Sequence, residues 1–166
     1  MTAVTPLNAY IARETAIGSV INLVIGSAFF LMLFRGQAEP QVWGPGGLIL
    51  DCLPQGFMIG LMSVIPAMLI TRKRVGAGLV LATAPATRAL LPRGILARGL
   101  VVALATMVCL VAAAAALAWL SGVQSVPFWP AFALKALPGL LAPCLIIPPA
   151  IKVALSDRPR SPSIPT

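Results

Sequence analysis

The chain contains no histidine, and only four of its 166 residues are acidic. Without imidazole there is no histidine-ligated haem and no Ser-His-Asp catalytic triad. Four scattered carboxylates, Glu14, Glu39, Asp51 and Asp157, supply neither a clustered metal site nor a row of proton carriers. No phosphate-binding glycine loop or dinucleotide fingerprint is present. The three cysteines, Cys52, Cys109 and Cys144, form no Cys-x-x-Cys pair, so a thiol–disulfide relay lacks its local motif. Together these absences argue against an enzyme, and no metal or cofactor is expected.

Charge is scarce altogether, at 10% of residues, while apolar residues make up 59% and the mean hydropathy is +0.98. That is the reverse of what a water-facing surface requires. The apolar residues gather into four runs, 16–34, 48–70, 100–120 and 132–151. A helix rising 1.5 Å per residue crosses the roughly 30 Å hydrocarbon core in about 20 residues. Only a helix satisfies its own backbone polar groups while its side chains face lipid. The expected fold is an all-α integral membrane protein, a single membrane domain with four transmembrane helices. The first run is longer than a signal-peptide core and lacks a convincing cleavage pattern, so it is read as an uncleaved span. The prolines and polar residues of 156–166 predict a disordered tail.

The twelve basic residues set the orientation. Arg13 precedes the first run, Arg72, Lys73, Arg74, Arg88, Arg93 and Arg98 lie in the basic loop 71–99, and Lys152, Arg158 and Arg160 follow the fourth. Only Arg35 and Lys135 lie elsewhere. The positive-inside rule therefore predicts both termini and the middle loop on the cytoplasmic side of a bacterial inner membrane. The net charge of +8 sits at helix ends, where its expected partner is the bilayer surface and not nucleic acid. The six basic residues between the second and third runs are candidate contacts for anionic lipid headgroups.

The two halves follow one plan. Phe34-Arg35-Gly36, Trp43, Leu53-Pro54, Pro66-Ala67 and Arg72 are echoed by Leu120-Ser121-Gly122, Trp129, Leu137-Pro138, Pro148-Pro149-Ala150 and Lys152. The pattern predicts an internal repeat of two tandem helical hairpins in the same orientation. The second half, with Trp129-Pro130, Lys135, Leu137-Pro138, Pro143 and the 148–152 segment, resembles an uncharacterised family of short two-helix bacterial inner-membrane proteins. That resemblance implies an architecture and no activity.

Asp51 and Lys135 each stand three residues before a Leu-Pro, so the repeat places opposite charges at equivalent depths. A charge inside a span costs about 2.5–3.5 kcal/mol on insertion scales and usually finds a partner or an aqueous cavity. The two are a candidate intramembrane pair; the alternative is that Lys135 snorkels outward and Asp51 starts its helix. Gly56 and Gly60, and Gly18, Asn22 and Gly26, recur at four-residue spacing, the pattern that lets membrane helices approach closely, with the Asn22 amide as polar packing. The Ala112 to Ala116 stretch offers the third span similar contact. Pro138, Pro143, Pro148 and Pro149 predict a bent fourth helix. Abundant packing signals and few buried charges suggest a nonenzymatic accessory or structural subunit bound to other membrane subunits or to its own copies. The competing expectation is a small oligomeric permease with its path near the Pro-rich fourth helix.

Overall fold

The computed structural model describes residues 6–80, 92 and 94–156, and among these the fold is four helices: α1 Leu7–Phe34, α2 Leu48–Gly76, α3 Ile95–Ser121 and α4 Phe128–Ser156. All four are long and apolar enough to cross a membrane. Arg88, Arg93 and the tail beyond Ser156 lie outside the described residues.

Each helix outruns its apolar stretch, and all four extend at the basic end. α1 starts nine residues before the apolar run because Asn8 to Thr15 form helix readily, and Glu14 finds a partner there. α2 continues through Arg72, Lys73 and Arg74, whose positive charge suits a helix C-terminus. The two ends of the expected loop, 71–76 and 95–99, are therefore helix, and 77–94 separates α2 from α3. Neither Leu-Pro opens its helix. Pro54 and Pro138 lie inside α2 and α4, which run unbroken through six prolines between them. Gly122, at φ 65°, ends α3 in the left-handed conformation that glycine adopts without penalty.

The strongest packing is between α2 and α3, between α1 and α4, and between α2 and α4. α1 meets α2 more briefly. The helices thus follow one another in space as α3, α2, α4, α1, and the closest partners come from different halves of the sequence. A two-fold axis between α2 and α4 would generate this order, exchanging α1 with α3. The loops obey the same relation. Val42 N donates to Gln124 O at 2.9 Å, and Val126 N donates to Pro40 O at 3.1 Å, so positions 40 and 42 trade roles with 124 and 126. The contacts of the central helices repeat it too. A Cβ on Gly56 would stand 3.1 Å from Thr106 O of α3, and one on Gly139 would stand 3.2 Å from Asn22 O of α1.

Small residues fix the α2–α3 seam. A Cβ on Gly60 would lie 2.6 Å from Ala103 Cα, and one on Gly56 2.7 Å from Met107 Cα, distances that real Cβ atoms do not reach. Gly18 instead receives the tip of the Ile147 side chain in the α1–α4 contact, not backbone. Gly26 does not: its nearest neighbour would be Gln55 Nε2 at 3.8 Å, so it opens space where the spacing suggested a seam. The alanine run contributes little to the interior, for Ala112, Ala113 and Ala116 are exposed while Ala103 and Ala118 carry the α3 contacts.

Apolar clusters close both ends of the bundle. At the basic end Tyr10, Ala67, Ile147, Ile151 and Leu155 pack together. At the loop end Phe30 stacks on Phe34 with centroids 4.9 Å apart and meets Phe128 and Phe132 at 5.4 and 5.6 Å. Trp43, Trp119 and Trp129 stand exposed at that end, where indole suits a membrane–water interface.

Candidate functional site

Asp51 lies in the first turn of α2, and Lys135 lies about two turns into α4, deeper than its distance from Leu137-Pro138 suggested. The central α2–α4 contact brings them together. Lys135 Nζ is 2.7 Å from Asp51 Oδ2, with side-chain exposures of 8% and 15%. The ammonium also donates to Leu48 O and to Cys52 Sγ, both at 3.4 Å. Its three donors are thus directed at α2, and the amine does not snorkel. A pair this buried is held by geometry as well as charge, because desolvation offsets much of the Coulombic gain.

One turn further along α2, Gln55 Nε2 donates to Lys135 O at 2.6 Å. That carbonyl adjoins Leu134 O, which Pro138 leaves without its usual helical donor. α4 is thereby tied to α2 beside Pro138 by a side chain that sequence reasoning overlooked. The other amide atom, Gln55 Oε1, is buried and accepts no hydrogen bond.

Asn22 is buried at mid-height. Its Nδ2 donates to Gly18 O at 2.9 Å and, more weakly, to Ser63 Oγ of α2 at 3.4 Å. Between this contact and the loop end, α1 and α2 diverge and leave a cleft of about 190 Å³. Phe29 and Met32 of α1 and Met58 and Met62 of α2 form its walls, and Asn22, Asp51 and Gln55 are its polar lining residues.

The basic end holds a second constellation, missed in the sequence. Arg74 Nη1 pairs with Glu14 Oε1 at 2.8 Å, and the guanidinium lies 5.1 Å from the centroid of the Tyr10 ring. Tyr10 Oη shares a 2.9 Å hydrogen bond with Thr71 Oγ1. Glu14 is only 7% exposed, so removal of Arg74 would strand a buried carboxylate. The signal for this cluster was a lone acid at the basic end of α1 facing a run of cations on α2.

The six candidate headgroup ligands consequently divide. Arg72 and Lys73 are exposed on the last turns of α2. Arg74 is turned toward α1. Arg98 differs from these: it is 4% exposed and its Nε donates to Pro92 O at 2.6 Å. Among the described residues no group of three or more Cys, Asp or Glu converges as a metal site.

What this arrangement can do is bind and hold. It contains a neutralised charge pair, a spare amide acceptor and an apolar cleft opening between two helices. No family model matches the chain, and no similar protein was found among curated sequences or solved structures.

Proposed function

We propose that the protein is a nonenzymatic accessory or structural subunit of a bacterial inner-membrane assembly, with both termini cytoplasmic. The observation that carries this reading is the outer face of α3. Only 6% of its most apolar stretch is buried, against 39% for α2. Along that exposed face Ala105, Cys109, Ala112, Ala113 and Ala116 form a stripe of small residues at three- and four-residue spacing. Small residues let membrane helices approach closely, whereas a purely lipid-facing surface has no need of them. The exposed alanines that contribute so little inside this chain are suited to a neighbouring helix.

The test is extraction into lipid nanodiscs followed by mass spectrometry of the intact complex. Recovery with a reproducible, stoichiometric foreign subunit that Ala113→Leu releases supports the proposal. Recovery only as a monomer or homo-oligomer overturns it. The permease reading is favoured by one observation, the Asp51-lined cleft between α1 and α2. It requires uptake of a solute that Gly26→Leu, which fills the cleft from α1, impairs without lowering folded yield.

A further inference from the structure

We infer that the groove between α1 and α4 at the basic end is a binding site for an anionic phospholipid, whose headgroup meets Lys152 and whose acyl chain lies along α1. The site does not depend on which partners the subunit has. Near this end α1 is joined to α4 where Tyr10 packs with Ile147, Ile151 and Leu155, together with Ala67 of α2. Away from that contact the two helices part. Ala12 and Ala16 of α1 and Pro148 of α4 line an open groove of about 470 Å³, within the range of small-ligand sites. Both alanines are exposed, and their short side chains leave the space between the helices unfilled.

The lining changes character along its length. Lys152 and Asn8 stand at the mouth, while Ile11, Ala16, Pro148 and Cys144 continue inward. Lys152 directly follows the fourth apolar run and lies eight residues beyond Cys144, about 12 Å along the helix axis. A groove that is polar at the membrane surface and apolar below it takes an amphiphile in the orientation that bilayer lipid already has.

The sign of the head follows from the charges around the mouth. Lys152 is exposed, and no acidic side chain among the described residues lines the groove. Glu14, the acid of α1, is 7% exposed and is held by Arg74 on α2. Asn8 lies in the first turn of α1, which has neither an acidic residue nor a side-chain cap to meet the backbone donors of the helix start. Their partial positive charge adds to that of the lysine. A cationic head would be repelled, and a zwitterionic head would bring its own cation toward Lys152. A head of net negative charge meets the ammonium and the amide together.

Native mass spectrometry of the full chain, released from nanodiscs of equal phosphatidylglycerol and phosphatidylcholine, tests the site. One phosphatidylglycerol should be retained over phosphatidylcholine by about fivefold, the contribution of one cation near an anionic surface. Lys152→Gln should reduce that preference to less than about twofold, while Lys73→Gln, on the exposed end of α2, should leave it unchanged. The double variant Ala12→Leu/Ala16→Leu fills the groove from α1 and should remove the retained lipid at normal folded yield. Excess inorganic phosphate should not displace the lipid, because the chain is held as well as the head. Equal retention of the two lipids overturns the site. So does a preference that survives Lys152→Gln or that Lys73→Gln lowers as much. Lipid retained by the double leucine variant, or displaced by phosphate, overturns it as well.

Discussion

Replacing Asp51 with Asn leaves the Lys135 ammonium among apolar helices with two long contacts, to Leu48 O and Cys52 Sγ. Breaking a fully buried ion pair from one side costs about 3–5 kcal/mol. Asp51 retains 15% exposure, which places the expected loss at the lower end, about 3 kcal/mol, or roughly 100-fold in the ratio of folded to unfolded protein. Lys135→Gln strands the carboxylate instead and should cost a similar amount. The double variant removes both charges and leaves two groups able to hydrogen-bond, so its loss should be only about 1 kcal/mol. The cycle then yields a coupling of several kcal/mol, far above the few tenths expected between sites that do not interact. Reversible unfolding in mixed micelles of rising dodecyl sulfate content, followed by circular dichroism, measures all four proteins. Additive losses, with coupling within about 0.5 kcal/mol, would refute the claim that these charges hold α2 to α4.

Gly60→Ala should destabilise the fold by about 1–3 kcal/mol, since its new methyl meets Ala103 backbone, whereas Gly26→Ala should be neutral or mildly stabilising in the same titration. Arg74→Met should cost about 2–3 kcal/mol by stranding Glu14, and Arg74→Met/Glu14→Gln should recover most of it; equal losses in both would dissolve the basic-end pair. Reporter fusions after Arg74 and Gly122 should read cytoplasmic and periplasmic respectively, and a periplasmic signal at Arg74 would refute the N-in, C-in orientation.

Four apolar runs were enough to reveal four helices, because bilayer thickness and backbone satisfaction leave a hydrophobic run few alternatives. Asp51 and Lys135 stood out for the same reason: an isolated charge in such a run is costly. Partner choice was much less visible. Gly56 and Gly60 announce a close approach but carry nothing that distinguishes α3 from α1, so the exchange of partners between the halves emerged only in three dimensions. Gln55 was hidden because its role depends on a carbonyl of α4. Arg98 reads in the sequence as one cation among basic neighbours, and its bond to Pro92 O is visible only in three dimensions. Helix ends were misplaced where polar residues extend them beyond the apolar core.

The exchanged packing has a consequence for biogenesis. During synthesis α1 enters the bilayer well before its principal partner, α4, exists. The chain from Phe34 to Phe128 takes roughly 5–20 seconds to make at ordinary elongation rates. Over that interval the Gly18 surface has no Ile147 to receive, and Lys135 has yet to arrive for Asp51. Between the first two helices the polar fastenings already available are Glu14–Arg74, Tyr10–Thr71 and Asn22–Ser63, while Leu48 shares the loop-end apolar cluster with Phe30 and Phe34. The last helix to be inserted is the one that supplies Ile147 to the Gly18 surface and Lys135 to Asp51.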